Sequence, residues 1–171
     1  MVRSIQILII LFSFFGTAQN TNSIDFVIRN LGINVDGHFN TFEIDTKFNT
    51  NGDLVSIYGK IDVKSIKTGI DSRDEHLLEE DYFNETKFKH ITLQSTSITK
   101  SSENNYRVSA KLSIKGKTKE IKILVLVKTT GNRKLIRSSF EINRRDFDVG
   151  GSSFVMSKTV KIQVKYYQNL L

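Results

Sequence analysis

Tyr106-Arg107-Val108-Ser109-Ala110-Lys111-Leu112-Ser113-Ile114-Lys115 alternates without a fault. Tyr106, Val108, Ala110, Leu112 and Ile114 fall on one side, and Arg107, Ser109, Lys111, Ser113 and Lys115 on the other. A period of two is a strand. One apolar and one polar face put that strand between a core and water. Downstream, Gly116-Lys117-Thr118-Lys119 reads as a turn, and Ile121, Ile123, Val125 and Val127 resume the pattern. Leu124 and Leu126 make this next strand apolar on its other face too, which asks for cover on the outside. Gly131-Asn132 turns the chain again. Ile136, Phe140 and Ile142 mark a further strand, Asn143 to Ser153 reads as a loop with Gly150-Gly151, and Val160, Ile162, Val164 and Tyr166 form the last strand.

Upstream the pattern is the same. Ile24, Phe26 and Ile28 alternate with polar residues. Leu31-Gly32 and Gly37 break the pattern before Phe42, Ile44 and Phe48. Asn51-Gly52 is a hairpin signal. Val55, Ile57, Gly59, Ile61 and Val63 share a face, and Ile91 and Leu93 begin another strand near His90. About eight strands on short turns predict an all-β chain, an antiparallel barrel or sandwich. Gly59 and Ala110 leave space on the apolar face, and a barrel of this size either fills with side chains or holds one small ligand.

The exception is Thr68 to Phe83, dense in charge and ending in an aromatic pair. Ser72-Arg73-Asp74-Glu75 has the spacing of a capping box, and Leu78 and Tyr82 are four apart. This predicts a short crossover helix near residues 72–83, covering one end of the sheet. Catalytic patterns are weak. Asp71, Asp74, Glu75 and His76 lack a second ligand cluster, His38 and His90 stand alone, and there is no cysteine. No Gly-x-Ser-x-Gly is present, and Gly150-Gly151-Ser152-Ser153 lacks the lysine of a phosphate loop. The chain therefore reads as non-enzymatic, with no metal or cofactor.

At the N-terminus, Arg3 precedes an almost wholly apolar run from Ile5 to Phe15, then Gly16-Thr17-Ala18. That layout predicts a signal peptide over residues 1–18 and a single domain over 19–171. The run is too short for a bilayer, which takes roughly 20 residues, so no integral membrane protein is expected. Setting aside Arg3 lowers the formal charge of +7 by one. The remaining bases are spread singly along strands, as solvated faces are, and predict no nucleic-acid partner.

Several motifs together resemble the YceI-like family, secreted or periplasmic proteins that bind lipids and polyisoprenoids. They are Ser65-Ile66-Lys67-Thr68-Gly69, Arg73-Asp74-Glu75-His76-Leu77, Asp81-Tyr82-Phe83, Ile91-Thr92-Leu93-Gln94-Ser95-Thr96, Leu112 to Lys119, and Ile142-Asn143-Arg144-Arg145-Asp146-Phe147. The chain departs from the family pattern at Glu43, Lys89, Lys115 and Asp148. The resemblance implies an extended eight-stranded antiparallel β-barrel, lipocalin-like, possessing a hollow for a long isoprenoid or fatty-acyl chain, and in some members a homodimer. On the alternation, the wall would be Phe42, Ile57, Ile61, Val108, Leu112, Ile123, Val125, Phe140, Ile142, Val160 and Ile162. Arg73, His76 and Arg144 match motif positions near the mouth, with an Asp74–Arg144 salt bridge as the structural alternative. The expected function is a secreted or periplasmic carrier of a hydrophobic long-chain ligand. The rival is a filled barrel that docks a protein partner through Leu124 and Leu126.

Overall fold

The computed structural model describes residues 21–170. The expected signal peptide, residues 1–18, lies outside them. One antiparallel sheet curls into a barrel-like wall. Its strands are β1 (Ser23–Asn30), β2 (Ile33–Phe39), β3 (Phe42–Phe48), β4 (Leu54–Asp62), β5 (Ile66–Lys67), β6 (His90–Ser102), β7 (Asn105–Ile114), β8 (Lys117–Thr130), β9 (Arg133–Asn143) and β10 (Met156–Asn169). The single α-helix among the described residues, α1, is Asp71–Leu78. The hydrogen-bonded order is β3-β4-β6-β7-β8-β9-β10-β1-β2-β5.

Ten strands stand where about eight are expected: Leu31 to Gly37, expected as a break, is mostly strand β2, and the two-residue β5 is added after β4 at the corner where β2 and β3 meet. β3 follows β2 after only Asn40-Thr41, and β5 follows β4 after the 3-10 turn Val63–Ser65. Across this corner Asn40 N donates to Ser65 O (3.1 Å) and Asp62 N to Thr41 O (3.0 Å). Phe39 and Phe42 both turn toward the core although three residues apart, as do Val63 and Ile66. A spacing of three breaks the period of two, so each long strand is cut into two short ones.

The α1 end carries the β1–β2 turn, residues 68–89, the β7–β8 turn and residues 144–155. The other end carries the hairpin turns after β3, β6 and β8. Two core clusters match the two ends. Near α1, Phe39, Val63, Ile66, Ile91, Leu112 and Phe147 pack together. Toward the hairpins, Leu54, Tyr106, Val108, Val125, Val127 and Ile136 do so. There Asp53 accepts from Lys100 Nζ (2.5 Å) and Tyr106 Oη (3.3 Å), tying the β3–β4 turn to its neighbours.

Two local expectations are corrected. Val55 points outward, 50% exposed, while Leu54 is buried at 3%. The register pairs Lys47 with Ser56 but Phe48 with Leu54, a bulge that shifts the phase of β4 at its start. The helix also runs Asp71–Leu78, so it starts one residue before the expected 72–83 and stops short of Tyr82-Phe83. Ile70 occupies the cap position without a side-chain bond, Ser72 is the second helical residue, and the capping box does not form. The turn into the helix is made by Gly69 at φ 84°, where other residues are strained.

The bulge makes a sharp test. Leu54→Ala is expected to cost about 2–5 kcal/mol, and Val55→Ala to stay within about 0.5 kcal/mol. Urea unfolding of both variants measures the difference.

Candidate functional site

Inside the wall lies a cavity of about 210 Å³. An apolar cavity of about 150 Å³ already stays dry and takes benzene. Both Met156 and Tyr166 line it, ten positions apart on β10. At about 3.3 Å per residue that stretch of strand is ~33 Å long, close to the ~30 Å hydrocarbon core of a bilayer. Residues that line the space therefore run along most of β10. The cavity surface is almost wholly apolar, so an occupant is held by burial rather than by directed polar bonds.

Of the eleven expected wall residues, nine line this cavity: Ile57, Ile61, Leu112, Ile123, Val125, Phe140, Ile142, Val160 and Ile162. Val108 is buried in the wall behind it, in the cluster nearer the hairpins. Phe42 packs against the cluster near α1 instead. Alternation did not single out the residues that close the α1 end: Leu77, Tyr82, Phe83, Phe147, Val149 and Met156. The aromatic pair Tyr82-Phe83 directly after a charged helix is the signal that marks them. Phe83 reaches the wall at Phe39, with ring centroids 6.5 Å apart and edge-on.

The three polar candidates do not meet. Arg144 reaches the cavity and is itself buried. The expected salt bridge with Asp74 does not form. Arg144 instead donates from Nε to Ser157 O (2.8 Å), from Nη1 to Val149 O (2.7 Å) and Gly151 O (2.8 Å), and from Nη2 to Met156 O (3.2 Å). Burial lowers its pKa, and neighbouring Arg145 adds to that. The carbonyls take the place of a counter-ion, and one cation holds the whole 149–157 loop against the barrel. Gly150 sits in this knot at φ 69°. A Cβ there would lie 2.8 Å from Met156 Cε and 2.9 Å from Tyr82 Cε1, so a larger residue would push these side chains aside as well as strain the backbone.

Arg73 and His76 face away from the cavity. Arg73 donates from Nε to Thr68 Oγ1 (2.7 Å) and from Nη2 to Thr68 O (2.5 Å). His76 is exposed, 2.7 Å from Glu79 Oε2 and edge-on to the Tyr82 ring at 4.9 Å. It borders a polar cleft with Asp81, Tyr82, Lys115, Asp148 and Gly151. Tyr82 belongs to both spaces, so the cleft adjoins the apolar cavity at the α1 end. Lys115 and Asp148, two departures from the family pattern, meet here. Lys115 Nζ donates to Asp148 O (2.8 Å), and Lys117 pairs with the Asp148 carboxylate, holding its pKa down.

Asp74, the buried acid of the motif, is a clasp rather than a ligand. Its Oδ1 accepts from Thr68 N (2.8 Å) and Thr68 Oγ1 (2.5 Å), and Lys67 Nζ lies 3.3 Å from Oδ2. Burial opposes its charge, but these donors outweigh burial and lower the pKa. Among the described residues no group of three His, Asp or Glu side chains is placed to hold a metal ion, and no helix is long and apolar enough to cross a membrane.

A model of the YceI-like domain matches residues 16–167. A UPF0312 protein of Yersinia enterocolitica is 31% identical over 136 residues, covering 74% of this chain and 69% of that one. A UPF0312 protein of Shewanella denitrificans is 35% identical over 106 residues. That second match spans 59% of this chain and only about half, 54%, of the relative. Among solved structures, BcnA of Burkholderia cenocepacia superposes with a TM-score of 0.81 at 23% identity, over 86% of this chain and 96% of that one. A polyisoprenoid-binding domain from Saccharophagus degradans superposes with a TM-score of 0.69 at 19% identity, over 88% of this chain and 95% of that one. At these identities the superpositions speak for the fold.

The Asp74 clasp has a pH signature. A carboxyl whose folded pKa is depressed stabilises above its unfolded value of ~3.9 and loses that contribution as pH falls through the folded value. Asp74→Asn is expected to cost about 2–3 kcal/mol at neutral pH, the scale of hydrogen bonds to a charged group. The gap to the wild type should narrow below about pH 4. Chemical denaturation of both proteins across pH 2.5–7 (an experimental range of about that span) measures it.

Proposed function

The chain belongs to the YceI-like family, and we propose that it is a carrier that takes a long-chain lipid, an isoprenoid or fatty-acyl chain, into its barrel. The observation that carries this reading is the cavity with almost wholly apolar walls. Each buried CH₂ is worth about 0.8 kcal/mol, so a long chain needs little polar recognition. The likeness to the polyisoprenoid-binding domain of Saccharophagus degradans supports the same ligand class.

In this reading the barrel is of the lipocalin type. Taking β2 with β3, and β4 with β5, as two bent strands gives eight staves. The two ends of the hydrogen-bonded order then meet at the Asn40–Ser65 corner. Closure of this kind removes open edges and leaves room for one ligand. The carrier works outside the cytoplasm, after removal of residues 1–18, and it binds rather than catalyses. Leu77, Tyr82, Phe83 and the Arg144-held loop form the end through which the ligand passes. The rival reading, a filled barrel that docks a protein, calls for interior side chains at a packing density near 0.75. The cavity weighs against it.

Gly59 offers the direct test. It lines the cavity, and a Cβ built on it meets only Leu93 Cβ at 3.9 Å. Gly59→Phe therefore places a ring in the hollow without straining the backbone. Delipidated wild type is expected to bind a fluorescent fatty acid, with displacement by a polyprenol. Gly59→Phe is expected to bind about tenfold more weakly or worse, with thermal unfolding still cooperative. Equal binding by wild type and Gly59→Phe, or none by either, would sink the carrier reading.

A further inference from the structure

Four large apolar side chains stand in water together at the α1 end of the barrel. Leu31 and Ile33 are 71% and 70% exposed, Val155 is more than half exposed, and Phe154 is fully so. They sit on two tips, the β1–β2 turn and the segment before β10. Leu31 N donates to Val155 O (2.9 Å) and joins the tips into one patch. Nothing in the backbone asks for a leucine at Leu31. Its φ is 51°, a region that costs a leucine and suits Asn or Gly.

The basic residues around the patch are placed with it. Arg29 Nε donates to Gly32 O (3.0 Å), at the base of the first tip. Arg145 Nη2 donates to Ser153 O (2.9 Å), at the base of the second. Both guanidinium groups are exposed and keep further N–H donors, and exposed Lys158 follows on β10, the strand that pairs with β1 beside Arg29. Three exposed cations, Arg29, Arg145 and Lys158, thus stand at or near the bases of the two apolar tips. Directly behind the tips, Ile28 and Met156 line the cavity.

We propose that this end of the barrel docks on a membrane surface rich in anionic lipid. The apolar tips enter the boundary between headgroups and acyl chains, and Arg29, Arg145 and Lys158 lie at the level of the phosphates. A tip flanked by cations matches an anionic bilayer in both chemistry and depth. A protein partner would need a complementary concave and acidic face. Docking in this pose brings the Ile28–Met156 end of the cavity against the acyl layer, where a long chain can pass without crossing water.

The chain has no cysteine, so a single introduced one labels cleanly. Phe154→Cys is labelled with the environment-sensitive fluorophore NBD and titrated with vesicles. One set is phosphatidylcholine alone, and the other contains about a quarter phosphatidylglycerol. The expected result is a blue shift and brighter emission with the anionic vesicles, weaker without phosphatidylglycerol and weakened by salt. The same label on Asn132→Cys, in the β8–β9 turn at the other end, stays unchanged. Adding Leu31→Asn, which the backbone favours, lowers vesicle affinity by about tenfold or more. The shift persists in a Gly59→Phe background, so failure of docking and failure of lipid uptake show separately. Silence at position 154 with both vesicle types overturns the proposal, as does an equal response at both labels. A blue shift that grows with protein concentration alone overturns it too, by assigning the patch to a second copy or another protein.

Discussion

A hollow lined with apolar atoms is held open from outside or it collapses, and here the backbone ladder holds it. The inner strands are hydrogen-bonded on both sides, β1 and β7 over most of their length, with runs such as Thr159–Asn169 against Arg133–Asn143, while β3 and β5 end the order with one neighbour each. Strands about 4.8 Å apart cannot move inward singly without breaking those bonds. The inner face of the ladder is Val, Ile, Leu and Phe. None of these offers water a partner, and each stabilises the fold only where it meets other apolar atoms. The molecule meets that need at its two ends, in the clusters around Phe147 and around Tyr106. The cavity borders both clusters: Phe39, Ile91 and Leu112 of the first line it, as do Ile57, Ile123 and Val125 of the second.

The two ends are closed by different physics. At the hairpin end, long strands converge on buried side chains and Asp53 clips the turn. At the α1 end the closure is polar and local. Arg144, a buried cation with no carboxylate partner among the described residues, spreads four hydrogen bonds over Val149, Gly151, Met156 and Ser157. Gly150 lets Tyr82 and Met156 approach this knot, and Gly150 N donates to Asp81 O (2.8 Å), tying it to the segment after α1. A closure made of one side chain and one loop opens with less disturbance than a packed cluster. The polar cleft and the apolar tips both lie at this same end.

Much of the wall was legible because strand alternation is a one-dimensional property. Leu112 and Ile114, or Ile123 and Val125, need no knowledge of their neighbours to be placed inward. Changes of phase were not legible. Leu54 and Val55 are adjacent and both apolar, so the bulge that chooses between them leaves no trace in composition. The corner at Phe39 and Phe42 is hidden for the same reason, and β2 was missed beside it because Gly32 and Gly37 read as a break. The motif around Arg73 and Asp74 was legible as a feature, but its partners were not. Thr68 and Lys67, a few residues upstream, claim Asp74 before Arg144 can. That outcome depends on how Gly69 turns the chain. Exposure was the least legible property, since Leu31 and Phe154 read as ordinary apolar residues until the tips are seen to stand clear of the core.

A carrier role requires that the cavity hold a lipid chain in the cell. Native mass spectrometry of protein recovered gently from its own host tests it most directly, with organic extraction of the same sample. The expected result is a protein population heavier by the mass of one long-chain lipid, released by extraction and depleted in Gly59→Phe. Protein at its bare polypeptide mass, with an extract free of long-chain lipid, would contradict it.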